Sequence, residues 1–241
     1  MTTLAASPSR TVSEQIYVAL KDDLRLATFA PGTALLTREL LARFGCGISP
    51  LREALARLVG EGALEARGHR GVRVPALSLT DLNDVYRLRT LLEQEALRLS
   101  LLHGDDAWEA GVVTAGHMLE RAALPRLDQE APARSETLNE WERRHRAFHA
   151  ALVAAAPAPR MLRMIAQMVD QTERYRTLRV LKGDPAALSQ GIVSEHHQLL
   201  EAAIARRPEV TDMLGAHYEK TRAFIADVLA SGDTAHSDMP G

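Results

Sequence analysis

Cysteine is almost absent: Cys46 is the single one among 241 residues. One thiol can neither close an internal disulfide nor build a cysteine-based zinc site, which excludes a disulfide scaffold and makes the cytoplasm the expected compartment. No apolar run reaches the ~20 residues that a membrane-spanning helix needs, so no membrane partner is expected. The first fifteen residues lack the charged-then-apolar order of an export signal. Aromatic residues are scarce at 4%, while Ala, Leu and Arg are abundant, which favours helices over sheets. The remaining balance, 46% apolar and 25% charged, argues against a disordered or fibrous chain. The length admits one large or two small domains. The net charge of −2 is unevenly spread: residues 1–75 hold ten Lys/Arg against seven Asp/Glu, and residues 76–241 hold nineteen against twenty-four. A basic head on an acidic body hints at a polyanionic partner for the head.

Residues 1–10 read as a loose tail, as do residues 232–241. Apolar positions Val12, Ile16, Ala19, Leu20 and Leu24 follow helical spacing up to Leu26. Pro31-Gly32 forces a turn. Thr37 reads as the N-cap of a short helix from Arg38 to Phe44 that ends at Gly45. Ser49-Pro50 reads as a cap followed by proline in the first helical position, opening a helix to about Gly60. Short apolar stretches on either side of Arg67-Gly68-His69-Arg70-Gly71 then predict a hairpin closed by Pro75. Three short helices and a two-stranded wing over residues 11–75 make a winged helix-turn-helix, with 76–79 as linker. Such a unit inserts its third helix into the major groove of a DNA duplex, side chains near the helix start facing base edges. Here those are Ser49, Leu51 and Arg52. Arg38, and Arg67, His69 and Arg70 at the wing tip, are the expected grips on the backbone or minor groove. Taken singly, Arg38 and Arg52 read equally well as solvated helix charges.

Residues 12–75 resemble the DNA-binding domain of the GntR family of bacterial transcription regulators. The matching elements are Pro31-Gly32, Arg38-Glu39-Leu40, Ser49-Pro50-Leu51-Arg52-Glu53-Ala54-Leu55, Arg57-Leu58, Gly62 and Arg70-Gly71. The resemblance implies DNA contacts at Arg38, Ser49, Arg52 and the wing at 67–70. Many members carry arginine where this chain has Ile48, which implies a different operator.

Beyond the linker the pattern is helical throughout, at about 80–103, 105–122, 136–156, 158–181, 186–206 and 209–230, with breaks at glycines and prolines. The expected architecture is mainly α: the winged head followed by an all-α antiparallel helical bundle over residues 80–231. Four of the nine histidines stand out. His145 and His149, four apart, project from nearly one face of a helix and border its apolar stripe. His196 and His217 lie on the stripes of the last two helices. At 1.5 Å per residue they fall roughly 16 Å before and 14 Å after the turn at Arg207-Pro208, hence at one level of a hairpin. Four imidazoles at one depth make a site for a divalent transition metal, Zn²⁺ or Ni²⁺ first among them. His197 competes with His196 on a rival stripe. Each histidine alone reads as an ordinary hydrogen-bonded core residue. Arg89 sits on a buried seam and needs a counter-charge, either Glu93 one turn on or a carboxylate ligand. Glu142 reads as a support for the metal or as solvated.

The body resembles the FCD domain, the ligand-sensing domain of the FadR subfamily within GntR, through Arg89-Thr90-Leu91-Leu92-Glu93, His145-Arg146-Ala147-Phe148-His149, Glu195-His196 and His217. In that family one acidic residue and three histidines hold the metal. The resemblance maps them to His145, in the acidic position, and His149, His196 and His217. It also favours His196 over His197 and implies Arg174 and Tyr175 as further effector contacts. The implied function is a homodimeric regulator, a repressor more than an activator, on a near-palindromic operator. Its effector is a small carboxylate, with dicarboxylates among the candidates. Two rival readings are a metallohydrolase, with Glu142 or Glu195 as general base, and a DNA-binding protein with a purely structural metal.

Overall fold

The computed structural model describes residues 10–25, 28–67, 71–126, 128–182 and 185–233. The chain divides into two compact units, Met1–Leu77 and Ser78–Gly241. The wing residues His69 and Arg70, and most of both expected tails, lie outside the described residues.

The first unit runs α1 (Val12–Arg25), β1 (Ala34–Leu35), α2 (Thr37–Phe44), α3 (Ile48–Gly60), β2 (Glu65–Ala66) and β3 (Val72–Arg73). The three helices bury Ile16, Leu20, Leu40, Phe44, Leu51, Leu55 and Leu58 in one core with Leu64 and Val72. Each fully buried side chain of this kind contributes about 1.5–3 kcal/mol. Gly45 ends α2 in the left-handed region at φ 57°, its N–H donating to Leu41 O. The caps lie one and two residues earlier, respectively, than the sequence suggests. Thr37 is already the first residue of α2 and Leu36 its N-cap, while Ser49 is the second residue of α3 behind an N-cap at Gly47. Pro50 at the third position fits, because the first-turn N–H groups have no intrahelical acceptor. The wing is also larger than a hairpin. β1 pairs antiparallel with β3, giving the order β1-β3-β2. Gly71, at φ +110°, allows this: a Cβ there would lie 2.5 Å from Leu35 O.

The second unit is a bundle of α4 (Leu79–His103), α5 (Asp106–Glu120), α6 (Ala131–Val153), α7 (Pro159–Lys182), α8 (Pro185–Ile204) and α9 (Val210–Asp233). Ser78 and Asp105 cap α4 and α5, accepting from the N–H groups of Asp81 and Trp108. α6 starts five residues before its expected position because Pro132 sits in its first turn instead of breaking it. Pro159 and Pro185 likewise open α7 and α8. α4 packs along α7 and α9, and α5 along α6 and α8. Arg206 holds a left-handed backbone (φ 51°) at the turn before α9, and its guanidinium donates to Leu101 O and Gly104 O at 2.7 and 2.8 Å.

Candidate functional site

Three helices deliver the histidines. His145 and His149 come from α6, His196 from α8 and His217 from α9, and all four are at least 95% buried. Four ligand atoms, one from each, lie within 4.8 Å of one another. His149 Nε2 is 3.1 Å from His145 Nε2 and 3.3 Å from His196 Nε2. His196 and His217 stand at the same level, ring centroids 4.7 Å apart, as the hairpin arithmetic requires. His197 is at the surface instead, with Nδ1 2.7 Å from Glu120.

The partners of the outer nitrogens fix which lone pairs face inward. Ile192 O, which can only accept, lies 2.7 Å from His196 Nδ1, so that nitrogen carries the proton. Glu195 Oε2 lies 2.8 Å from His217 Nδ1. Burial works against the charge on Glu195, but hydrogen bonds from His217 and Lys220 hold its pKa at about 2. The hydroxyl of Tyr218 donates to Glu93 Oε2 at 2.5 Å and accepts from His149 Nδ1 at 2.9 Å. Three imidazoles thus point bare Nε2 lone pairs towards a common centre, the arrangement that outer partners impose on metal-ligating histidines. Burial, with the neighbouring imidazoles, drives the pKa of His145 and His149 well below 6.5 and keeps both neutral. An all-imidazole donor set suits Zn²⁺, Ni²⁺ or Cu²⁺ and not Mg²⁺ or Ca²⁺.

His145 differs from the other three. Its ring stacks on Trp141 (centroids 4.7 Å), and its buried Nδ1 has no hydrogen-bond partner among the described residues. The nearest carboxylate is Glu142 Oε2, at 4.0 Å. Burial raises the pKa of Glu142, and Arg176 Nη2 holds its Oε2 at 2.7 Å.

Both cations beside the cluster are paired. Arg89 donates to Glu93 Oε1 (2.6 Å), Thr172 Oγ1 (3.0 Å) and the Tyr218 hydroxyl (3.1 Å). Burial opposes its charge, but Glu93 and its other neighbours outweigh that and raise its pKa. Arg176, which the sequence did not single out, donates to Thr172 Oγ1 and to Glu142. A buried chain thus runs from His149 through Tyr218, Glu93, Arg89, Thr172 and Arg176 to Glu142. Arg174 and Tyr175 lie elsewhere: both reach Asp81, at 2.7 and 2.6 Å, in the first turn of α4. The α7 residues in the buried chain are Thr172 and Arg176, the latter one position on from Tyr175.

In the first unit, Arg38, Ser49, Arg52 and Arg67 are all exposed. Arg38 is loosely paired with Glu39 at 3.8 Å. Leu51 corrects the sequence reading. It is completely buried, because its position on α3 faces the core, and it presents nothing to a duplex. Neither α2 nor α3 has a side-chain hydrogen bond at its N-cap, and in the first turn of α2 the Glu39 N–H already donates to Leu36 O at 3.0 Å. Ile48 is half exposed and, with Thr37 and Arg52, lines a groove of about 670 Å³ that reaches the wing at Gly71 and Val72.

Residues 12–74 match the gntR family of bacterial regulatory proteins, and residues 84–220 match the FCD domain. The chain belongs to the GntR family. This GntR-family chain is 33% identical over 217 residues to the uncharacterized HTH-type transcriptional regulator BphR of Paraburkholderia xenovorans, covering 90% of this chain and 86% of BphR. It is 31% identical over 191 residues to the HTH-type transcriptional repressor GlaR of Escherichia coli, covering 79% and 84%. The solved structure of E. coli McbR/YncC shares the fold, with a TM-score of 0.74 at 24% identity over 91% of this chain and 99% of that one. The protein is a DNA-binding transcriptional regulator of the FCD-bearing, FadR-like subfamily, and its relatives are regulators, not enzymes. The hydrolase reading falls with that assignment. The two carboxylates it needed are also engaged, Glu142 by Arg176 and Glu195 by His217 and Lys220. Among the described residues, no helix is long and apolar enough to cross a membrane.

Proposed function

We propose that the protein is a repressor whose hold on its operator is set by a small carboxylate bound at a metal ion in the second unit. The inward-facing Nε2 lone pairs carry this reading, because three outer partners have already placed the protons on the far side of the rings. His145, His149, His196 and His217 would hold the ion, Zn²⁺ or Ni²⁺ by the chemistry of the donors. Bound there, it supplies a Lewis-acid centre for the effector's carboxylate. Four neutral imidazoles leave its two positive charges uncompensated in a buried site, which favours an anionic effector and dicarboxylates in particular. Arg89 and Arg176 are the nearby guanidinium groups from which such an anion would draw hydrogen bonds.

On the DNA side, Arg38, Ser49 and Arg52 would meet the duplex with the wing from Arg67 to Arg70. A homodimer would set two α3 helices in successive major grooves of a near-palindromic operator. The effector acts only if it binds the DNA-free and DNA-bound arrangements with different affinity. Fluorescence anisotropy with the DNA upstream of its own gene tests the whole reading. Zn²⁺-loaded protein should bind with a steep salt dependence and release the duplex when mono- and dicarboxylates are added. Salt-dependent binding that no carboxylate alters, with metal fully bound, would favour the purely structural metal.

A further inference from the structure

Three of the four imidazoles are pinned and one is not. His149, His196 and His217 each donate Nδ1–H to a separate acceptor, respectively Tyr218, Ile192 O and Glu195. Such outer partners raise the basicity of the ligating nitrogen and fix the ring, and losing one typically costs ~10–100-fold in metal affinity. Among the described residues, His145 has no such partner. Its Nδ1 is buried without a hydrogen bond, and its ring is held by stacking on Trp141. It is therefore the least basic and least firmly oriented donor. A site closed by four protein ligands has the form of a structural centre, whereas a site that takes up a ligand keeps or frees a position.

We propose that His145 is the exchangeable member of the set: the effector's carboxylate oxygen takes its coordination position beside His149, His196 and His217. The proposal rests on the metal reading above and adds the route by which the effector enters. In the exchange the bond to His145 Nε2 breaks and one to a carboxylate oxygen forms. One negative charge enters, and no proton need be gained or lost. The neutral ring that leaves has a destination. Glu142 Oε2 stands 4.0 Å from His145 Nδ1, so a shift of about an ångström would make that hydrogen bond. It would also join His145 to the buried chain that already ends at Glu142.

The test uses full-length protein loaded with Co²⁺, whose visible spectrum reports its ligands, with acetate and succinate as probes. His149→Ala, His196→Ala and His217→Ala should each weaken Co²⁺ binding by more than ~100-fold, and His145→Ala by less than ~10-fold. His145→Gln, which preserves more of the ring's volume, repeats the measurement should the alanine variant fold poorly. Succinate should change the wild-type spectrum, and the succinate-bound spectra of wild type and H145A should superimpose, since both then lack the His145 nitrogen. Distinct final spectra would mean that His145 stays bound while the carboxylate adds as an extra ligand, and would overturn the proposal. So would equal loss of Co²⁺ in all four alanine variants, or no response to either acid. Failure of the wild type to take up Co²⁺ would defeat the metal reading itself, an outcome separate from these.

Discussion

Glu142 Oε2 stops 4.0 Å short of His145 Nδ1 while its carboxylate is held 2.7 Å from Arg176 Nη2. This gap is the one open link in a buried circuit that otherwise runs by hydrogen bonds from His149 round to Glu142. The ion pair that keeps it open lies in the interior, where removing one partner strands the other charge. Glu142→Gln should therefore lower the stability of the second unit by about 3 kcal/mol, less if Glu173, 3.6 Å from Arg176, takes over the guanidinium. Urea denaturation at neutral pH measures it.

Metal should stabilise the folded protein by mass action. At a free concentration 100 times Kd the gain is about 2.7 kcal/mol, enough to raise Tm by several degrees. Wild-type protein should show this shift with Zn²⁺, and the double variant His149→Ala/His196→Ala should show none. Elemental analysis of the purified double variant should find no bound metal, and full occupancy there would remove both residues from the ligand set.

Acid should destabilise the metal-free protein from an unusually mild pH. His145 and His149 are held neutral by burial when folded, but take up protons at about 6.5 when unfolded. Unfolding then consumes protons below that value, so their contribution is complete above pH 6.5 and drains away as pH falls. Each costs roughly 1.4 kcal/mol per pH unit within the window. Glu142, whose pKa burial raises, binds its proton first in the folded state and offsets part of the loss at the acid end. A thermal melt series from pH 7.5 to about 5 should show the decline, and a flat profile would mean the imidazoles are protonated in place.

Arg52 and Leu51 are neighbours on α3 with opposite exposure, and their substitutions should separate cleanly. Arg52→Ala should weaken operator binding by about 1–3 kcal/mol while leaving the melting curve unchanged. Leu51→Ala should destabilise the first unit by about 2–5 kcal/mol through the cavity it leaves. Anisotropy and differential scanning calorimetry on both variants distinguish the two effects.

Arg89→Ala tests whether the carboxylate meets this guanidinium. Operator binding should persist and the effector response should weaken. An unchanged response would leave Arg89 as the counter-charge of Glu93 alone.

The helices were legible because their apolar stripes repeat at the right period, and the histidine set because two residues four apart on one rod and one on each arm of a hairpin are constrained by rise alone. Other features were decided by tertiary contact. Strand β1 has only Ala34 and Leu35, too short to show alternation, and exists because Gly71 lets β3 pass close by. Leu51 lies in the segment expected to face a duplex, yet its angle on α3 turns it inward. Arg176 and Tyr218 carry no local signature: each matters because α7 and α9 bring it beside the cluster. Glu93, named beforehand as one option for Arg89, is its partner at 2.6 Å.

α6 packs mainly on α4, α5 and α7, whereas α8 and α9 lean on each other and on α5, α4 and α7. The imidazoles bridge these two groupings. A cation among them would act as a rivet through three plates, and withdrawing it would leave mutually repelling lone pairs where there had been a fastening. Loading such an ion would therefore do more than create a docking point: it would set how firmly α6 is bolted to the rest of the bundle.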